Sequence, residues 1–273
     1  MAQIHVYTEK VTIEDTDEFI LQETSGGLTK KTLWSDIVTT MGASVNVFGS
    51  PGNIAREYID GSVNAIDTNI TLVDTTTIHY EEVDVAITNT NSINVIVSFW
   101  HIDGAASAIA DEDILLYNVT LEANETKKII IPGLEVGHSL ICKADTIGVN
   151  FMIAGREQTA PKVKRLGAIT IDGTTNTIDT NIEVVTSAKD YTEIKLFICN
   201  RNSTTCALYS IYNIDSDDIA DIEDEDVIIS DDTILPNELL WDVDFIRDFP
   251  DNNMITFSSD IVDVNIIVYG REV

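Results

Sequence analysis

Ile66-Asp67-Thr68-Asn69-Ile70 returns 112 residues later as Ile178-Asp179-Thr180-Asn181-Ile182, and this pair of pentapeptides decides the fold. Working outward, Asn89-Thr90-Asn91-Ser92 is matched by Asn200-Arg201-Asn202-Ser203, and Ile109-Ala110-Asp111 by Ile219-Ala220-Asp221. Asp111-Glu112-Asp113-Ile114 is answered by Asp224-Glu225-Asp226-Val227. Each half ends alike: Val149-Asn150-Phe151 and Gly155-Arg156-Glu157 become Val264-Asn265-Ile266 and Gly270-Arg271-Glu272. Anchors in one order, with offsets drifting only between 110 and 115 residues, mark an internal duplication. The drift places small insertions in loops, which tolerate them. The repeats define copies at residues 61–158 and 166–273, with a leading region at 1–60. Between the copies, at 159–165, Pro161 with Lys162, Lys164 and Arg165 reads as an extended, solvated linker.

Inside each copy the period is that of strands. Val83, Val85 and Ile87 alternate with Asp84, Ala86 and Thr88, and Ile194, Leu196 and Ile198 share one face. Ile129-Ile130-Ile131 and Ile266-Ile267-Val268 are β-branched runs suited to strands buried on both sides or at a core edge. Turn residues recur at short intervals, at Asn89 to Ser92, Asp103-Gly104, Glu122 to Glu125, Pro132-Gly133 and Gly137. Neither copy holds a sustained helical apolar stripe. Roughly 100 residues with seven or eight short strands predict a β-sandwich, and both a jelly-roll and an immunoglobulin-like connection fit the pattern. The fold class is therefore mainly β: two tandem sandwiches behind a small α+β leading segment.

That leading segment reads differently. Phe19 to Gln22 reads as a strand, Gly26-Gly27 as a tight turn, and Thr29 to Thr32 as a second strand. Thr32 or Ser35 then caps a short helix with Trp34, Ile37, Val38 and Met41 on one face, stopped by Gly42. About 40 residues bury too little to stand alone. Phe19, Leu21, Trp34, Ile37 and Met41 are accordingly the expected oligomerisation or attachment surface, with a neighbouring copy of the chain as the simplest partner.

The 273 residues carry 46 acidic and 16 basic side chains, a net charge of −30, with 44% hydrophobic residues. Such a composition suits a folded protein rather than a disordered acidic tail, and it disfavours binding to a phosphate backbone. No window approaches the ~18 consecutive apolar residues of a membrane span, and Met1 to His5 lacks the basic n-region of a secretory signal. Cys142, Cys199 and Cys206 are too few for a disulfide scaffold; the expectation is free thiols, with a Cys199–Cys206 bridge the alternative.

The chemistry-bearing residues do not form a recognisable catalytic set. His5, His79, His101 and His138 are isolated in sequence and do not recur between copies; His101 falls opposite Ile211 to Asn213 and His138 near Asp248. His101 is placed to meet Asp103, but no complete triad or dyad is legible, so the reading is non-enzymatic. The acidic run from Asp215 to Asp226 lacks the glycine and ligand spacing of an EF-hand and reads as a solvated loop, with calcium near Asp221, Asp224 and Asp226 the alternative. Trp34, Trp100 and Trp241 are scattered, as plugs of cores or interfaces rather than a sugar-stacking platform.

Asp17-Glu18-Phe19-Ile20-Leu21, Gly26-Gly27 and Thr29 through Ile37 resemble a segment found near the N-termini or stalks of tailed-phage fibre and appendage proteins. The repeated unit is similar to a β-sandwich of phage virion proteins, on the features carried here by Asn89 to Ser92, Asp111 to Tyr117 and Val149 to Glu157. The second copy departs from it where Asp248-Phe249-Pro250-Asp251 replaces Leu134-Glu135-Val136-Gly137. The resemblance implies a non-enzymatic virion protein that forms homo-oligomers, with a trimer favoured. It would be a tail fibre or adaptor, or alternatively a capsid decoration protein. Its partners would be other tail or capsid proteins and a host surface, and not nucleic acid or membrane. A cell-surface or glycan-binding module is the reading from another class.

Overall fold

The computed structural model describes residues 18–22, 29–33, 52–74, 76–159, 162–216 and 218–273. In the leading unit, β1 (Glu18–Gln22) and β2 (Thr29–Leu33) pair antiparallel, Phe19 opposite Thr32 and Leu21 opposite Lys30. The expected Gly26-Gly27 turn and the helix carrying Trp34, Ile37 and Met41 lie outside the described residues.

From residue 52 onward, two eight-stranded lobes are built on one plan. Lobe 1 contains β3 (Gly52–Ile59), β4 (Ile70–Val73), β5 (His79–Asn89), β6 (Val95–Ile102), β7 (Ile114–Leu121), β8 (Thr126–Leu134), β9 (Ser139–Ala144) and β10 (Val149–Gln158). Its sheets run β3-β10-β5-β8 and β4-β9-β6-β7. Lobe 2 contains β11 (Val163–Ile171), β12 (Ile182–Thr186), β13 (Tyr191–Asn200), β14 (Ala207–Ile214), β15 (Val227–Ile234), β16 (Leu239–Phe249), β17 (Met254–Ser259) and β18 (Val264–Glu272). Its sheets, β11-β18-β13-β16 and β12-β17-β14-β15, repeat the order strand for strand. Every pairing is antiparallel. The order first-eighth-third-sixth against second-seventh-fourth-fifth is a jelly roll, which resolves the choice that sequence periodicity leaves open.

Two boundaries differ from the sequence reading. Gly52–Ile59, assigned to the leading region, is β3, and Ile59 is fully buried in the lobe 1 core. Val163 to Arg165, assigned to the linker, opens β11 and pairs with Arg271 to Tyr269. The cation that suggests solvent is the reason for the second error: the Arg165 side chain is buried opposite a carboxylate.

Strand alternation fills the cores. Val83, Val85, Ile87, Phe99, Leu140 and Phe151 point into lobe 1, and Ile194, Leu196, Ile198, Phe257, Ile266 and Val268 into lobe 2. The recurring asparagines close the turns. Asn89 is fully buried; its Nδ2 donates to the carbonyls of Ile93 and Glu122 at 2.8 Å each, and its Oδ1 accepts from the Asn91 N–H. Asn200 does the same with Thr205, Ile234 and Asn202. At the ends of β3 and β11, Asp60 Oδ1 accepts from the N–H groups of Ser62, Val63 and Asn64, and Asp172 Oδ1 from those of Thr174, Thr175 and Asn176. These bonds, led by that from Ser62 or Thr174, hold both carboxyls below the usual range. Asp67 and Asp179, inside the founding pentapeptides, share a left-handed backbone at φ 54° and 53°.

Asn89→Ala removes, at a fully buried position, the donor to the Ile93 and Glu122 carbonyls and the acceptor of the Asn91 N–H at once. A loss of about 1–3 kcal/mol is expected in urea unfolding, where Asn91→Ala at the exposed turn serves as the milder control.

Candidate functional site

Ile266-Ile267-Val268 and Ile129-Ile130-Ile131 are both β-branched runs and have different fates. Ile130 is 40% exposed, whereas Ile267 is buried on the side away from its own core. The difference is a second lobe. The outer face of β11-β18-β13-β16 carries Phe197, Ile267 and Tyr269 into the lobe 1 core cluster, and Cys199 joins Trp100, Ile102, Ile114 and Ile141. Trp100 is thus an interface plug. Gly133 on β8 is needed here, because a Cβ would stand 2.6 Å from the carbonyl oxygen of Val163.

Lobe 1 enters this seam with the short turn η2 (Asp111–Asp113) at its tip. Two arginines of lobe 2 hold it. Arg165 Nη1 donates to Asp113 Oδ1 at 2.8 Å and to the His101 carbonyl at 2.6 Å, with both side chains less than a tenth exposed. Arg201 bridges Asp111 and Asp263 at 2.7 Å each and lies over the Tyr117 ring. Burial pushes the Asp113 carboxyl above its ordinary range, and the charge and hydrogen bond of Arg165 act against that rise. Glu135 accepts the Arg165 backbone N–H and is likewise pushed up, chiefly by burial.

Beside this pair runs a chain of polar rings. His101 Nδ1 lies 2.6 Å from Tyr269 Oη, and His101 Nε2 lies 3.0 Å from His138 Nδ1. His138 Nε2 is 3.1 Å from Asp103 Oδ1. One proton arrangement satisfies all three contacts with neutral imidazoles. Asp103 can only accept, so His138 carries its proton on Nε2 and accepts at Nδ1. His101 then donates from Nε2, accepts at Nδ1, and takes the Tyr269 hydroxyl as donor. The chain runs from Tyr269, which has no exposed surface, to Asp103, whose side chain is 70% exposed. Burial first, then the charge of Arg165, holds His101 well below the usual imidazole range. His138 is also held down by burial, with Asp103 pulling the other way and Arg165 and His79 adding to the depression. Burial pushes the Tyr269 hydroxyl up.

The expected His101–Asp103 pairing is therefore corrected: His138 takes Asp103, and His101 sits one link deeper. Lobe 2 has no such chain. Register places Asn213 at the His101 position, and the matching turn bonds place Asn253, rather than Asp248, at the His138 position. Sequence reasoning missed Tyr269 and took Arg165 for a solvated linker cation. The available signal was a cation inside each seam segment of an acidic chain where the first copy has none, Arg165 against Asn53 and Arg201 against Thr90.

Of the other expected site residues, Phe19 and Leu21 lie on β1. Asp221 ends η3 (Ile219–Asp221), and Asp224 and Asp226 bound η4 (Asp224–Asp226). Asp226 Oδ2 accepts the Glu223 N–H and closes its own turn. Among the described residues no three His, Cys, Asp or Glu side chains gather closely enough to hold a metal ion. Cys142, Cys199 and Cys206 are free thiols; burial pushes Cys199 up to about 12. Among the described residues no helix is long and apolar enough to cross a membrane. A polar groove of about 390 Å³ beside the tip is lined by Asp111, Glu112, Thr170, Asp172, Thr175 and Asn176.

No family model matches the chain, and no curated protein matches it. Among solved structures it is similar to a fucolectin from the serum of striped bass, Morone saxatilis, at 11% identity over 82% of this chain and 96% of that one, with a TM-score of 0.23. It is similar to allantoicase at 9% identity over 89% and 99%, with a TM-score of 0.21. A structure from the Gt strain of infectious bursal disease virus gives 11% identity over 72% and 63%, with a TM-score of 0.19. At these scores the likenesses carry no functional weight, and the jelly-roll assignment rests on the strand order of this chain.

Arg165→Met leaves Asp113 buried without its counter-charge and is expected to cost about 3–5 kcal/mol in chemical denaturation. Adding Asp113→Leu is expected to restore a substantial part of it, and a double variant no better than the single one contradicts the pairing. Acid has a defined sign as well. Both imidazoles are depressed in the folded state, so the stability from keeping them neutral is complete above about pH 6.5 and is lost as pH falls below it. The slope approaches about 1.4 kcal/mol per pH unit for each ring until its folded-state range is reached. Asp113 and Glu135, shifted up, act in the opposite sense nearer pH 4. Calorimetry from pH 7.5 to 5.5 is expected to show a falling midpoint, with a shallower fall in His101→Gln.

Proposed function

We propose that this chain is a structural subunit of a virion, mounted by its leading segment and projecting two jelly rolls as one stiff body. The observation that carries the reading is the use made of the polar groups between the lobes. Arg165, Arg201, Asp111, Asp113, His101, His138 and Tyr269 are engaged with one another, across the seam and along it, instead of converging on a cleft. Buried ion pairs of this kind fix one relative position of two bodies more than they add stability. A net charge of −30 keeps crowded copies soluble and apart from packaged nucleic acid. The resemblance of residues 17–37 to fibre and appendage stalks supports mounting as a tail fibre or adaptor, with capsid decoration as the second reading. Phe19 and Leu21 supply the apolar residues of that attachment.

Light scattering of the full chain is expected to give a trimer, and Phe19→Asp with Leu21→Asp to give single copies. Antibodies to the lobes, applied to purified particles, are expected to label tails. A regular label over the head indicates decoration instead. Retention on a glycan array without particle labelling overturns the virion reading in favour of a binding module.

A further inference from the structure

The duplication built every strand twice, but the seam only once. Lobe 1 gives its tip and lobe 2 gives the outer face of β11-β18-β13-β16; the opposite surfaces, the tip of lobe 2 and the outer face of lobe 1, repeat both halves of that contact. At the lobe 2 tip, η4 stands where η2 does, and register places Tyr212, Ile214 and Val227 at the positions of Trp100, Ile102 and Ile114. Ile114 is 3% exposed inside the seam, whereas Val227 is 38% and Ile219 37% exposed; Tyr212 is half-buried and Ile214 is already buried within lobe 2. Among the described residues no ion pair reaches Glu225 or Asp226, while Asp113 has Arg165. Asn213, in the place of His101, has a buried Oδ1 with no donor among the described residues, where His101 has Tyr269.

The outer face of lobe 1 is the matching half. Its rung Arg56–Met152–Ala86 stands where lobe 2 has Ala168–Ile267–Phe197, and Tyr58–Asn150–Thr88 stands where lobe 2 has Thr170–Asn265–Cys199. Tyr58 and Met152 are 49% and 46% exposed on this face. Arg56 and Lys128, both exposed and on one cross-strand row, bring positive charge to it. Arg56 sits one rung from the register position of Arg165. A face that carries Tyr58, Met152, Arg56 and Lys128, with the exposed Asp84 one rung away, thus lies in the chain with a tip that carries Ile219, Val227, Glu225 and Asp226, and the seam shows how two such surfaces fit.

We infer that the tip of lobe 2 docks on the outer β3-β10-β5-β8 face of lobe 1 in a second copy of this chain, head to tail, repeating the internal seam between molecules. Ala154 and Ala86 replace Tyr269 and Phe197 on the receiving face, so the contact buries less apolar surface and forms at higher concentration. A head-to-tail contact grows into rings or open strings rather than closing as a pair.

Sedimentation of the full chain across a wide concentration range is expected to show mass growing beyond the dilute plateau. Arg56→Glu, on the face, and Val227→Glu, at the tip, are both exposed changes, and each is expected to weaken growth by roughly tenfold or more. Mixed together in the Phe19→Asp, Leu21→Asp background, which gives single copies, the two variants retain one good face and one good tip between them and are expected to form a one-to-one complex that grows no further. A mass indifferent to both substitutions, whether of one copy or of three, overturns the inference. So does growth that only one of the two variants diminishes.

Discussion

A guanidinium taken out of water has to meet its counter-charge, and in this protein that requirement reaches across two domains' worth of chain. Arg165 lies on the first strand of lobe 2 and Asp113 on a turn of lobe 1, and both side chains are buried. Neither charge is tolerable alone, so the lobes are acceptable to each other in one position. Arg201, itself buried, meets the exposed carboxylate of Asp111 on the other side of the same turn, and the Asn265 amide adds a bond to the Ile114 carbonyl. The ring chain then fits a space whose dimensions are already set.

The two copies have specialised in complementary ways. Lobe 2 has Arg201 where lobe 1 has Thr90 and Asp263 where lobe 1 has Gly148, a guanidinium with a carboxylate of its own to steady it. Ala154 and Ala86 stand where lobe 2 has Tyr269 and Phe197, the aromatic surface that receives lobe 1. In return lobe 1 holds His101 and His138 where lobe 2 has Asn213 and Asn253. Strand order and core alternation were retained, and change was concentrated on the outside surfaces that meet. Core packing constrains both copies equally, whereas the seam asks different things of each.

This division also explains what could be read from the chain. The duplication, the strand periods and the sandwich class follow from local patterns, and β1, β2, β5, β8, β13 and β18 were legible. The jelly-roll order was not, because strand pairing across a sandwich leaves no local signature. Arg165 was misread as solvated because its partner is 52 residues away in sequence, and charge compensation has no period. His101, His138 and Tyr269 are separated by 37 and 168 residues, so their alignment exists only after both lobes have formed. Ile129 to Ile131 and Ile266 to Val268 make the same point: similar β-branched runs whose central residue is exposed in one and buried in the other, the difference supplied by a neighbour.

The doubly buried run Ile266-Ile267-Val268 has a consequence for how the molecule is made. Lobe 2 on its own would present Phe197, Ile267 and Tyr269 to water as an adhesive strip on a regular sheet. On the ribosome the chain emerges with lobe 1 first, at a pace slow enough for a domain to fold before the next is complete. By the time β18 leaves the exit tunnel, its cover is already waiting. The order of the duplicates along the gene thus protects the nascent chain from clumping, and exchanging them would leave the sticky copy exposed for the whole interval of synthesis.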